Sequence, residues 1–385
     1  MAAEKNNKTL NVPNLRFPEF SGEWEKYLLK SITNIYDGTH QTPKYTKSGV
    51  PFMSVEDVTQ KSSKEQKYIS EQDFHNNFRN PPQKGDILMT RIGDIGTPCI
   101  VPTNEALGYY VSLALIRPFE KLQSCFLNYV IQSNSFKREL YKRTIHVAFP
   151  QKINKEDIGK CKLDVPSIEE QNRIGDLLSL IDERITTQKK IIEDLKKLKD
   201  AISFILFTSE TCDKWELSNL ATIVMGQSPS SQYYNTDNEG LPLIQGNLDI
   251  TKGKLTPRIY SSEMTKKCHT GDVILTVRAP VGEVAIADFD ACIGRGVCAI
   301  RPFNSTYSVL IYQFLQHYKP KWISLEQGST FTSVSRNDIM SIKIGIPSIQ
   351  AIEILNILDD KISIEDVILN NLNSQKNYLL TQLFI

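Results

Sequence analysis

The chain has 385 residues, 40% hydrophobic and 23% charged, with 45 Lys+Arg against 44 Asp+Glu for a net charge of +1. That length suits two or three ordinary domains, the composition is that of a globular protein, and no apolar run approaches the roughly 20 residues a membrane helix needs. The charge balance argues against a solitary nonspecific nucleic-acid binder, which draws its affinity from neutralising phosphates; residues 15–165 hold 21 basic against 17 acidic residues, and residues 208–345 hold 13 of each.

In chain order, the polar opening MAAEKNNKTLNVPN lacks the apolar middle of a secretory signal and reads as a disordered lead-in over residues 1–14 of a cytoplasmic protein. Seven cysteines, an odd number without a close CxxC pair, fit reduced thiols rather than a disulfide framework. Residues 15–166 form a first mixed domain. There GDILMTR (85–91) is a short apolar strand entered by a Gly-Asp turn. Ser124–Thr144 has helical spacing, with Phe126, Tyr129, Val130, Phe136 and Leu140 as its buried face. A long helix over 167–207 follows. A second mixed domain spans 208–346, with GDVILTV (271–277) as strand and a less regular helix over Ser308–Gln327, and a second long helix runs over 347–385.

The second half repeats the first. GEWEKYLLKSI, containing Trp24, matches DKWELSNLATI, containing Trp215, at an offset of 191. SGVPFMSVEDV (48–58) aligns with EGLPLIQGNLDI (239–250), and KGDILMTRIGDIGTPCIV (84–101) with TGDVILTVRAPVGEVAIA (270–287). LIRPF (115–119) then aligns with AIRPF (299–303), and INKEDIGKCKLDVPSI (153–168) with VSRNDIMSIKIGIPSI (334–349). The offset drifts from 191 to 181, so loops vary in length while the framework keeps its order. Matches in one order at long period mark an internal duplication of an α+β domain closed by a helix.

Apolar residues in both helices keep heptad spacing. Leu178, Ile185, Ile192 and Leu206 fall in one register and Ile174, Ile181, Leu195 and Ile202 in the other. In the second copy Leu355, Ile362, Leu369 and Leu383 alternate with Leu358, Leu372 and Leu379. Lys199 and Gln188 interrupt the first helix; Lys376 and Glu365 interrupt the second at matching places, 177 residues on. Polar seam residues weaken packing and set register, so one packing scheme is expected for both helices. Such a chain folds most simply with pseudo-two-fold symmetry, its two coiled-coil helices antiparallel and roughly 60 Å long. Each helix then ends close to where the other domain begins. Ser167 and Glu170 make a capping box at the first helix start, which Ala351 removes from the second. A further stripe, Leu177, Ile191, Leu198 and Ile205 with Ile354 and Ile368, is too wide for one partner helix. It calls for packing on the domains or, equally, on another subunit.

Catalytic chemistry is not legible. Asn80-Pro81-Pro82-Gln83 is similar to the Asn-Pro-Pro-aromatic motif of adenine N6-methyltransferases, whose aromatic stacks on a flipped base. Gln83 stands in the aromatic's place and no glycine-rich cofactor loop precedes it, so a turn is the better reading. No GxxxxGK(S/T) loop is present for ATP, and the IGDIGTP and GRGV glycines read as turn glycines. His40, His75, His146, His269 and His317 are scattered, and Cys268-His269 with Cys292 and Cys298 has no usual zinc spacing.

The LRFPEFSGEW opening, the paired GDIL and GDVIL strands, the Pro-Ser-Ile helix starts with Glu-Glu-Gln in the first, and the domain–helix–domain–helix order resemble the specificity (S) subunit of type I restriction-modification enzymes. The likeness covers nearly the whole chain, with Gln350-Ala351-Ile352 departing from the usual Glu-Gln. The resemblance implies two target-recognition domains, each reading one half of an asymmetric bipartite site on double-stranded DNA, with the helices setting the gap. It implies two modification subunits that methylate adenine N6 with S-adenosylmethionine, and two restriction subunits that use ATP and Mg2+. None of these cofactors is expected on this chain, and phosphate contacts shared with partners account for its near-neutral charge.

The expected DNA contacts are loop residues at matched places. The first unit offers Thr39, His40, Thr42, Lys44 and Tyr45; the second offers Gln227, Ser228, Ser230 and Tyr233, each alternatively an ordinary polar turn residue. Arg91 and Arg278 end the matching strands, where an arginine grips guanine or phosphate or else forms a structural ion pair. Gln151 and Lys152, then Ser333 and Arg336, precede the final helices and suit phosphate as readily as bases. No residue is expected to be catalytic or to bind a metal. The alternatives are the recognition subunit of another multisubunit restriction system, a non-catalytic coiled-coil scaffold, and a methyltransferase or nuclease with its own catalytic site.

Overall fold

The computed structural model describes residues 10–41, 43–59, 66–209, 213–328 and 333–385, with 323–328 described by backbone alone. The chain divides into two compact units, Met1–Gln188 with Ile368–Ile385, and Lys189–Val367. These units are not the serial segments that the sequence suggests. Each long helix, Ile168–Thr208 and Ile349–Gln382, is shared between them, because its far end belongs to the core of the unit it reaches.

In the first unit Thr33–Asp37, Leu113–Pro118, Ile87–Ile92 and Asp94–Ile100 form an antiparallel sheet in that order. Successive side chains of a strand face opposite sides. Ile87 and Met89 join Ile116 and Phe126 in one core, while Leu88 and Leu115 join Phe52 and Phe74 in another. Cores on both faces explain why this strand is an unbroken apolar run instead of an alternation. A second sheet includes one parallel pair, Val50–Met53 beside Gly108–Tyr109. Glu25–Leu28 pairs with Lys162–Val165 and brings the ends of the domain together. The second unit repeats the plan with Ala221–Met225, Val297–Pro302, Val273–Thr276 and Val284–Ile286 in the same order. Its parallel pair is Leu241–Ile244 with Ala291–Ile293, and Lys214–Glu216 pairs with Lys343–Gly345.

Two of the repeated motifs are halves of one interaction. Asp86, from the Gly-Asp turn, is buried and accepts from the Gln83 N–H (2.8 Å) and from Arg117 of the Arg-Pro-Phe motif (2.9 Å at Nε, 2.7 Å at Nη2). Asp272 accepts likewise from the His269 N–H (2.8 Å) and from Arg301 Nη2 (2.9 Å). A buried carboxylate is tolerated only when it is paired and hydrogen-bonded, so the two motifs recur together. Arg117 Nη2 also donates to Pro81 O (2.9 Å), which makes Asn80–Gln83 part of the turn leading into the strand.

Three local expectations change. The stretch from Ser124 is two helices, Ser124–Gln132 and Asn134–Arg143, because the Ser133 hydroxyl accepts the Phe136 N–H (3.3 Å) and starts a fresh cap. Its counterpart is a single helix, Thr306–Gly328, with Pro320 inside. The disordered lead-in does not reach residue 14: the Asn11 amide donates to Trp24 O (2.7 Å) and Asp164 Oδ1 (2.6 Å), while residues 1–9 lie outside the described ones. At the first helix start the Glu170 N–H meets Ser167 Oγ (3.3 Å), but the Glu170 side chain does not return to the cap. It is 1% exposed and accepts from Arg16 (2.8 Å at Nε, 2.7 Å at Nη2) and from Trp24 Nε1 (3.3 Å). The opening motif and the Glu-Glu-Gln helix start are thus one anchor.

Within the first unit the two long helices run antiparallel. Gly175 lies against Cys125 and Phe126, and the Phe126 ring packs on Phe384 with centroids 5.6 Å apart. One turn further along the short helix, Tyr129 Oη donates to Asp182 (2.9 Å) and the Lys376 ammonium lies over the Tyr129 ring. Lys376, one of the polar seam residues, pairs with Asp182 at 2.7 Å. Within the second unit its counterpart Lys199 pairs with Asp359 at 2.6 Å. Asp182 and Asp359 are also 177 residues apart, so the duplication carries both halves of the ion pair. Leu380, Leu383 and Phe384 complete the core of the first unit, and Phe207 that of the second.

Candidate nucleic-acid interface

In each unit four segments meet at one end of the four-stranded sheet. Gly38 opens the first of them, and a Cβ there would sit 2.6 Å from Tyr109 O; at its counterpart Gly226 a Cβ would sit 2.1 Å from Gly294 O. Only glycine permits that approach. It lets the Thr39 N–H reach Tyr109 O (3.2 Å) and the Gly226 N–H reach Val297 O (3.0 Å). The facing turn then bonds the strand end, Arg91 N–H to Ser112 O (2.9 Å) in one unit and Val277 N–H to Gly296 O (2.9 Å) in the other. The loop before the closing pair completes the set through Ile153 N–H to Arg91 O (3.0 Å) and Val334 N–H to Val277 O (2.9 Å). The product is a shelf of loops held by main-chain bonds, which leaves its side chains free to differ.

These bonds correct one pairing. Arg91 corresponds to Val277, and Ile92, bridged to Lys152, corresponds to Arg278, bridged to Ser333. A shift of one residue along a strand reverses the face. Arg91 accordingly turns inward: it is 7% exposed, donates to Val111 O (2.8 Å) and pairs with Asp37 (3.0 Å). It is the structural ion pair, not an available DNA contact. Arg278 is exposed and has no acidic partner among the described residues.

Thr39 is also buried, with its hydroxyl turned to Gln41 O (3.4 Å), and so leaves the set of free contacts. Thr42 lies outside the described residues. His40, Lys44, Gln151 and Lys152 are exposed. Tyr45 is half exposed, with the Lys67 ammonium 5.4 Å from its ring centroid, and desolvation pushes its phenol pKa up, keeping it a neutral hydrogen-bonding group. In the second unit Gln227, Ser230, Tyr233, Ser333 and Arg336 are exposed. Ser228 is half-buried, and its hydroxyl accepts the Arg295 N–H (3.1 Å). Arg295 is the residue that the sequence reading missed. It stands exposed at the tip of Gly294-Arg295-Gly296, on the segment bonded to Val277 just before Arg278, and it too has no acidic partner among the described residues. The only signal for it is the match of this tripeptide to Tyr110-Val111-Ser112.

Among the described residues no three His, Cys, Asp or Glu side chains converge as a metal site. Burial pushes the thiols of Cys161 and Cys298 up to about 12 and that of Cys268 to about 11, which makes them packing groups rather than nucleophiles. No helix among the described residues is long and apolar enough to cross a membrane.

A model of the type I restriction modification DNA specificity domain matches the chain twice, over residues 21–197 and 210–374. The chain belongs to this family. The specificity family's double match falls on the two halves of the internal duplication, and the chain is a DNA sequence-specificity subunit. It is 30% identical over 375 residues to the putative type I restriction enzyme MjaX specificity subunit of Methanocaldococcus jannaschii, covering 89% of this chain and 87% of that one. To the MjaVIII specificity subunit of the same organism it is 26% identical over 208 residues, 50% of this chain and 47% of that one. In fold it resembles the S subunit of a type I restriction-modification system from M. genitalium, with a TM-score of 0.65, 16% identity, and coverage of 97% of this chain and 99% of that one. It also resembles a chain from a type I system solved for its complex assembly and conformational transition, with a TM-score of 0.59, 23% identity, and coverage of 93% and 96%.

Proposed function

We propose that the loop shelf of each unit reads one half of an asymmetric, gapped site on double-stranded DNA, while the long helices set the gap and dock two modification subunits. One observation carries this reading: the same hydrogen-bonded shelf is built twice and furnished differently. His40, Lys44, Tyr45, Gln151 and Lys152 stand on one; Gln227, Ser230, Tyr233, Arg278, Arg295, Ser333 and Arg336 stand on the other. The major groove presents a distinct donor–acceptor pattern for each base pair, so different side chains on one frame select different bases. The lysines and arginines suit phosphates or guanine edges, and their small number fits a complex in which partners share the backbone contacts.

Exposed Ile191, Leu198, Ile205, Ile354 and Ile368 on the long helices support docking of other subunits, since the domains leave this stripe uncovered. The chemistry then lies with those partners: modification subunits methylate adenine N6 from S-adenosylmethionine, and two restriction subunits work with ATP and Mg2+ in the cytoplasm. The test is single-molecule sequencing for N6-methyladenine in the source strain with and without this gene. Loss of one asymmetric, gapped motif is expected. An unchanged pattern with the partner genes expressed overturns the proposal.

A further inference from the structure

The loop at residues 145–152 of the first unit carries an exposed apolar tip. Val147 is 97% exposed and Phe149 fully so, the two most exposed large apolar side chains among the described residues. The loop carrying them is pinned. The Ile145 N–H bonds Lys152 O (2.8 Å), the Gly93 N–H bonds Gln151 O (2.8 Å), and Lys152 bridges both Ile92 and Ile145. His146 is held at its base, with Nε2 2.9 Å from Tyr141 O and the two rings 4.3 Å apart. An aromatic tip on such a loop is presented, not folded away.

The stretch of chain that carries it is strongly basic. Residues 137–152 contain Lys137, Arg138, Lys142, Arg143 and Lys152 against the single acid Glu139. Glu139 takes Lys142 (3.1 Å) and Arg143 (2.9 Å), which leaves Lys137, Arg138 and Lys152 exposed with no acidic partner among the described residues. An apolar tip carried on a segment rich in cations is complementary to a polyanion that carries apolar groups in its groove. On the major-groove edge of DNA that group is the 5-methyl of thymine. We infer that Phe149 and Val147 enter the major groove of the half-site read by the first unit and select thymine through its methyl group, while Lys137 and Lys152 meet the flanking phosphates. This rests on the proposal that the first unit reads DNA, and names the base feature and the residues that read it.

The experiment uses the full chain assembled with its modification subunits and a duplex carrying the methylation motif mapped in the source strain. Each thymine of the two halves is replaced in turn by deoxyuridine, which removes only the methyl group. With the wild-type complex, one replacement in one half lowers the methylation rate by about tenfold, the usual size of a missing methyl contact. With Phe149→Ala the thymine duplex is already slow, and the deoxyuridine replacement slows it no further. Methylation in that half becomes tolerant of other bases at the same position, while the other half is unchanged. Equal wild-type rates on thymine and deoxyuridine duplexes overturn the inference, as does a Phe149→Ala complex that keeps full sensitivity to the replacement. A uniform loss on all duplexes, together with failure to co-purify with the modification subunits, places the loop against a protein and overturns it as well. Absence of any sequence-specific methylation by the wild-type complex sinks the underlying reading of the first unit, a result distinguishable from all of these.

Discussion

Arg91 holds Asp37 at 3.0 Å from a position almost closed to water, and among the described residues the only other cation on that carboxylate is Lys155 at 3.5 Å. Removing the guanidinium leaves a partly buried charge poorly answered and two backbone carbonyls, of Val111 and Ile153, without their donor. Arg91→Ala is therefore expected to destabilise the first unit by about 2 kcal/mol, read from a shift in the denaturant midpoint. Arg278→Ala removes an exposed side chain with no acidic partner among the described residues and should leave that midpoint within about 0.5 kcal/mol. Its effect is expected in methylation kinetics, as weakened selection in one half of the site only. Equal kinetics on the natural site, or a large stability loss, would contradict that assignment. The two substitutions look alike on paper, yet one residue of strand register separates scaffold from surface.

Among the elements, the long helices carry the most specific packing signal. A lysine in a heptad seam is tolerated when a carboxylate waits opposite, and here Lys376 meets Asp182 while Lys199 meets Asp359. Each pair lies inside one compact unit and is supported by a second polar neighbour, Tyr129 on Asp182 (2.9 Å) and Gln313 on Asp359 (2.7 Å). Such pairs specify register more than they add stability. A double-mutant cycle on Asp182→Ala and Lys376→Ala should return a coupling of about 1–2 kcal/mol in thermal or urea unfolding. A coupling near zero would reduce the pair to a surface ion pair and remove its role in register. Glu170 illustrates the same economy at a helix start: its carboxylate serves Arg16 and Trp24 instead of closing the capping box.

At the scale of the whole molecule, the exposed Ile191, Leu198, Ile205, Ile354 and Ile368 are more apolar surface than helices of this kind leave to water without a partner. Expressed alone, the chain should self-associate in a concentration-dependent way by light scattering and become monodisperse when co-expressed with its modification subunits. Leu198→Glu with Ile205→Glu should improve the solubility of the lone chain and abolish co-purification of those subunits. A lone chain that is monomeric at high concentration, or a double variant that still assembles, would place docking elsewhere.

Much of this architecture was legible from residues alone. The duplication, the two mixed domains and the long heptad helices follow from periodicity and self-similarity, which are local or pairwise properties of the chain. The Gly-Asp turns and the Arg-Pro-Phe motifs were visible as well, though not as the ion pairs Asp86–Arg117 and Asp272–Arg301 that join them. The tertiary structure decided which loop residues are free. It buried Arg91 and Thr39, left Arg278 exposed, brought Arg295 beside Ser228, and held Phe149 out on a pinned loop. The physical reason is that burial and ion pairing depend on which distant backbone segment lies alongside. Sequence spacing records the face a residue takes on its own element, but not what that face meets.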